Sequence, residues 1–123
     1  GSRLVRRLAA AAALALPLIA HAADFDAPGL ARFDNGYARC EARFAHMKGS
    51  RDEAYLAVYR VKADAAGRAR LDGLRRTAAY RKELRAAQAE AAKPTASAAS
   101  SPLEQQCQAL WGQVQRARSV AKG

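Results

Sequence analysis

FDNGYARCEARFAHM, residues 33–47, decides the fold class. Phe33, Tyr37, Cys40, Phe44 and Met47 fall at steps of 4, 3, 4 and 3, the spacing that gathers side chains on one face of an α-helix. Gly49 supplies a C-terminal stop. Gly36 lies inside the pattern and costs about 1 kcal/mol relative to Ala, so the N-terminal part of this helix is expected to fray. His46 then falls on the second-last turn, where a cation suits the helix dipole and solvent exposure is the expected state.

Downstream, Ser50-Arg51-Asp52-Glu53 reads as a capping box that opens a second helix, with Ser50 as cap and Glu53 reaching back. Leu56, Tyr59, Ala63 and Ala66 form one apolar stripe, and Leu71, Leu74 and Ala78 form the next. The five-residue gap from Ala66 to Leu71 does not keep one face, and Gly67 and Gly73 bracket it. A bend or break is therefore expected at Gly67–Gly73, because an unbroken helix over residues 50–93 would be a rod of about 65 Å. Beyond Tyr80 only Leu84 is a bulky aliphatic residue, so the segment to Lys93 reads as a solvated helical extension. Residues 93–101 are small and polar without periodicity, as in a flexible linker. Ser101, Pro102 and Glu104 mark the start of a third helix. Leu103, Cys107, Leu110, Val114, Ala117 and Ala121 make its stripe, and Trp111 flanks it.

No stretch shows sustained strand alternation between hairpin turns, so the class is all-α. Cys40 and Cys107 each occupy a core position of their own helix's stripe, and a bond between them would pin two apolar faces together. Closing a loop of that length stabilises a fold by about 4 kcal/mol in the chain-entropy model. The expected architecture is a small antiparallel bundle of three helices, stapled by one Cys40–Cys107 disulfide, with the middle helix bent or broken.

The N-terminus explains why an oxidised pair is expected. Arg3, Arg6 and Arg7 precede an apolar run, Leu8 to Ile19, and Ala20-His21-Ala22 has the form of a cleavage site. Residues 1–22 read as a signal peptide cut after Ala22, leaving residues 23–123 as one helical domain in a bacterial periplasm; the run is short for a membrane anchor, which needs about 20 residues. Removing 22 residues from 123 leaves 101, too few for two domains, and with no Ile beyond the signal the core is thin. Thin cores of this size in exported proteins commonly use disulfides as staples.

Catalytic and cofactor chemistry finds little to build on. His46 is the only histidine beyond the signal, and no H-E-x-x-H, G-x-S-x-G, C-x-x-C or phosphate-cradling glycine loop occurs. No metal or cofactor site is expected. Asp24, Asp26 and Asp34 form a loose acidic group that reads as solvated in preference to a weak cation site, and Asp52 and Glu53 read as first-turn dipole and capping partners. Charge is the stronger signal. The chain carries +10, or +7 once the three signal arginines are removed. Between residues 68 and 85, Arg68, Arg75, Lys82 and Arg85 recur at steps of 7, 7 and 3, with Arg76 and Arg81 beside them, so one basic face for an anion or a partner is expected. Phe33, Tyr37, Phe44, Leu110 and Trp111 are the candidate apolar groove.

These features point first to a non-enzymatic, chaperone-like periplasmic protein that binds another envelope protein. A basic-face binder of anionic lipid or polysaccharide is the first alternative, and a hydrolase using His46 with Ser50 nearby is the second. Export disfavours nucleic acid as the target of the basic charge.

Overall fold

The computed structural model describes residues 25–93 and 100–122. Among them are five α-helices, α1 Ala27–Arg43, α2 Arg51–Val58, α3 Ala65–Arg75, α4 Ala78–Ala91 and α5 Ser100–Lys122, with a 3-10 turn at Ala45–Met47 and no strand. The class is all-α, but the expected three helices are five. The signal segment, residues 1–22, and residues 94–99 of the expected linker lie outside the described residues.

Helix α1 begins well before the Phe33 stripe. The Asp26 carboxylate accepts from the Gly29 N–H at 2.8 Å and Pro28 sits in the first turn, a strong start signal. Ala27, Leu30, Ala31 and Asp34 are buried and carry the inward face back by two turns, so Gly36 lies mid-helix instead of at a frayed end. The far end also differs. Phe44 adopts an extended backbone, φ −127° and ψ 103°, which stops α1 at Arg43 and leaves His46 in the 3-10 turn. The Glu41 carboxylate folds this corner back, accepting from the Gly49 N–H at 3.1 Å and from Arg51 at 2.5 Å. Gly49 itself has φ 84°, the left-handed region that glycine enters without steric cost.

The middle of the chain breaks twice, and neither break is at Gly67–Gly73. Helix α2 ends in a Schellman turn, in which the Val61 N–H bonds the Leu56 carbonyl at 2.9 Å and the Arg60 N–H bonds the Ala57 carbonyl at 3.1 Å. Arg60 takes the left-handed position, φ 58°, where glycine is usual. Asp64 then caps α3 by accepting from the Gly67 N–H at 2.9 Å. Gly67 is needed for closeness and not for a bend, since a Cβ there would stand 2.4 Å from the Lys62 carbonyl oxygen. The second break is at Arg76–Thr77, where the Thr77 hydroxyl donates to the Leu74 carbonyl at 2.7 Å and accepts from the Tyr80 N–H at 3.1 Å. At the head of α2, Ser50 occupies the cap position without a side-chain hydrogen bond, so the expected capping box is absent; Glu53 is drawn instead to Arg118.

Helix α4 is not a solvated extension. It lies along α1, where Arg32 meets Glu83 at 3.5 Å and the Asn35 amide donates to the Ala87 carbonyl at 3.4 Å. These contacts advance together along both helices, so α1 and α4 run side by side in the same sense, with α2 and α3 forming the crossover that such a pairing requires. Helix α5 runs the opposite way along α1, through the Cys40–Cys107 disulfide and the Arg43–Glu104 ion pair. Arg118 binds Glu53 of α2 at 2.7 and 2.9 Å and fixes the other half of α5.

Every other helix packs against α1. The core has two parts. Leu30, Ala31, Tyr55, Leu56, Leu71 and Tyr80 fill one, and Tyr37, Cys40, Met47, Ala54, Cys107 and Val114 the other, with Phe33 touching both. No helix among the described residues is long and apolar enough to cross a membrane.

Candidate functional site

A polar network lies beneath the expected basic face and takes its most central member. Asp34 is 1% exposed, which overturns its placement in a solvated acidic group. A buried carboxylate must be fully hydrogen-bonded to be tolerated. Tyr80 Oη donates to its Oδ2 at 2.5 Å, Arg75 Nε to the same oxygen at 2.9 Å, and Arg75 Nη2 to Oδ1 at 3.1 Å. Arg75 Nη2 also meets Asp52 Oδ1 at 2.7 Å, so Asp52 is an ion-pair partner and more than a dipole complement. Burial alone would lower the Arg75 pKa, but its hydrogen bonds to Asp34 and Asp52 outweigh it and hold the guanidinium charged. Burial, followed by the hydrogen bond to Asp34, raises the Tyr80 hydroxyl. The four residues join α1, α2, α3 and α4. Their role is to lock the crossover.

The seven-residue steps of the basic stripe therefore do not make a face. Arg68 and Arg75 belong to α3, Lys82 and Arg85 to α4, and the chain turns between them at Arg76–Thr77. Arg75 is turned inward, and Arg68 lies close enough to Glu53 to help lower its pKa, behind the larger effect of the Arg118 hydrogen bond. Arg76, Arg81, Lys82 and Arg85 remain exposed around the α3–α4 corner, with Arg81 Nη1 donating to the Arg76 carbonyl at 2.8 Å.

The five candidate groove residues are brought near one another, but as packed side chains. Tyr37 is buried, its hydroxyl donates to the Met47 carbonyl at 2.7 Å, and burial followed by the charges of Glu41 and Glu53 pushes its pKa up to about 12. Phe33 stacks on Tyr37, with ring centres 5.7 Å apart, and meets Tyr55 edge-on at 5.0 Å. Phe44, Leu110 and Trp111 pack at the margin of the second core part. Trp111 is covered by His46, edge-on at 5.0 Å, and by the Arg118 guanidinium at 5.1 Å. Exposed His46 is thus an aromatic neighbour, and no group of three or more metal-ligating side chains occurs among the described residues. Large exposed hydrophobic side chains there are confined to Val58 and Val120.

What remains open is shallower and lies on the outer face of α1. A hollow of about 190 Å³ is lined by Phe33, Gly36, Tyr37, Arg39, Cys40, Leu103, Gln106 and Leu110. A second of about 580 Å³, between α1 and α4, is lined by Arg32, Asn35, Arg39, Glu83, Ala86, Ala87, Glu90 and Ala91. They share Arg39 and flank the same stretch of α1; taken together as a trough, they have α1 as the floor and α4 and α5 as the walls. Protein-family models, curated proteins and solved structures give no match to this chain. Its function must be argued from this surface.

The charges of that surface are unequally used. Among the described residues, Asp34, Glu41, Asp52, Glu53, Glu83, Glu90 and Glu104 form ion pairs, and Asp26 and Asp64 cap helices. Asp72 is the remaining carboxylate. Glu41 shows how firmly they are held, since Arg51 and the Gly49 N–H lower its pKa against an opposing desolvation. Outward cations such as Arg39, Lys62, Arg76, Lys82 and Arg85 form no such ion pair among the described residues and face solvent. Of the candidate groove residues, Phe33, Tyr37 and Leu110 line the smaller hollow, while Phe44 and Trp111 do not; sequence spacing missed the α4 side because it arises only where α1 and α4 meet, although Arg32, Gly36 and Arg39 at steps of 4 and 3 mark the floor.

Proposed function

We propose that this chain is a non-enzymatic binding protein, exported to an oxidising compartment, that holds an acidic protein partner through its surface charge. The observation that carries this reading is the one-sided use of charge: the described carboxylates other than Asp72 serve the fold, while many cations are left outward. Such a surface steers acidic proteins and repels basic ones. The disulfide agrees with an oxidising compartment. The scarcity of exposed apolar side chains turns the proposal from an apolar clasp toward a charged one. Chemical crosslinking in periplasmic extract, repeated across a salt series, tests it. Acidic proteins should be captured at low salt and lost steeply as salt rises; capture unaffected by salt, or of basic proteins alone, refutes it.

A second reading rests on the α3–α4 corner. Helix α4 has no carboxylate in its first turn; Arg76 and Arg81 lie at its positive end, and Lys82 and Arg85 follow within the next turn. That arrangement suits an anionic lipid or polysaccharide surface. Sedimentation with anionic vesicles, lost in the Arg81→Ala, Arg85→Ala double variant, is its expected signature, and sedimentation unchanged by that variant excludes the corner.

A further inference from the structure

We infer that the trough over α1 seats an acidic helical segment of the partner protein, with Arg39 receiving its carboxylate, an inference that rests on the charge-driven binding proposed above. The floor from Arg32 to Arg39 is roughly 10 Å of straight helix, about two turns. Gly36 bares the backbone at its centre, where a Cβ would meet nothing within 4 Å. One wall presents the small side chains Ala86, Ala87 and Ala91, and the other presents Leu103 and Leu110. Packed helices stand about 8–10 Å apart, and small residues bring them to the near end of that range. The shape therefore fits a second helix lying along α1 better than an extended chain, which would leave its backbone groups unpaired over alanine.

Charge selects the occupant. Around the trough, Arg32 is paired with Glu83, Arg43 with Glu104 and Lys93 with Glu90. Arg39 is exposed, belongs to both hollows and has no carboxylate partner among the described residues. A carboxylate delivered there completes a charge-assisted, forked hydrogen bond. A second copy of this chain would bring its own excess of positive charge, +10 over the whole sequence, against the same arginine. A flat lipid surface meets the convex α3–α4 corner more readily than a recess between two helices.

The test uses the full oxidised chain, isotopically labelled, and two capped helical peptides: one of alanine, leucine and glutamate, and its twin with glutamine in place of glutamate. The glutamate peptide should shift the amide resonances of Gly36, Arg39, Ala87 and Leu110 in nuclear magnetic resonance, and the glutamine twin should bind about tenfold more weakly. Arg39→Gln should lose the same factor, and Gly36→Leu, which fills the floor at a position where a Cβ meets nothing within 4 Å, should abolish the shifts while circular dichroism remains helical. Arg85→Gln should leave them unchanged. Shifts centred on Arg81 and Arg85 would overturn the trough while sparing charge-driven binding. Absence of binding at low salt on any face would overturn both. Amide shifts in the trough that grow with protein concentration alone would assign it to a second copy and overturn the inference, as would equal shifts from anionic vesicles.

Discussion

Reduction of the Cys40–Cys107 bond is expected to remove about 4.4 kcal/mol of stability, a figure set by the 67-residue separation of the two cysteines through the loop-closure expression at 25 °C. Reduction leaves both sulfurs in place, so the comparison isolates the constraint from the packing of Cys40 and Cys107, which are 4% and 0% exposed. A domain of this size has roughly 5–15 kcal/mol in total, so the reduced chain should be folded but marginal. What then holds α5 is Val114 and its apolar neighbours with the Arg43–Glu104 and Glu53–Arg118 ion pairs. Partly exposed ion pairs contribute little. Urea unfolding with and without a phosphine reductant measures the difference, and a slope of about 1.5 kcal/mol/M turns it into a fall of about 3 M in midpoint. Hydrogen exchange should show α5 opening first. A midpoint fall below about 0.5 M, or α5 amides protected as before, would refute the claim that the bond and not the apolar contacts dominates the docking of α5.

Other substitutions examine the backbone and the buried network. Gly36→Ala and Gly73→Ala should each stabilise by up to about 1 kcal/mol, whereas Gly67→Ala should destabilise because its methyl would stand 2.4 Å from the Lys62 oxygen; thermal midpoints give the signs. Arg60→Gly should raise stability by about 1 kcal/mol in urea unfolding by relieving its left-handed backbone. Asp34→Ala should cost about 3 kcal/mol in the same assay, near the low end for a broken buried pair because Asp52 still faces Arg75. Tyr37, Tyr55 and Tyr80 have folded pKa values raised chiefly by burial, Tyr37 to about 12. Their contribution is thus fully present below the unfolded value near 10 and is lost as pH rises through the folded ones. Tyrosinate absorbance should lag in the native protein and jump as it unfolds; smooth titration of all four tyrosines near pH 10 would refute their burial.

Local spacing carried the helical class and the cysteine pairing because both depend on what a helix face repeats. Phe33, Tyr37 and Cys40 state that face within eight residues. Other features were hidden for physical reasons. The first break hinges on Arg60, a residue type with no preference for the left-handed region, and the caps Asp64 and Thr77 are followed three residues on by Gly67 and Tyr80, without the Glu or Gln that completes a capping box. Gly67 and Gly73 drew attention as breakers, yet one serves close packing and the other meets open space. Arg75 counted among surface arginines because its partner Asp34 is 41 residues away, and only the crossover brings them together. Alanine-rich α4 seemed solvated for want of bulky side chains, when small ones are what let it lie close against α1.

The central place of α1 has a consequence for how the molecule is made. This helix is synthesised before any of its four partners, and its sulfur must wait for a residue 67 positions later. At about 5–20 residues per second, Cys40 remains an unmatched thiol for roughly 3–13 s. During that interval Tyr37 and Met47 lack the Cys107 and Val114 side of their core, and any oxidant or disulfide nearby can claim the thiol first. Chains delivered faster than Cys107 can follow should therefore accumulate as Cys40-linked dimers, a by-product written into the order of the helices.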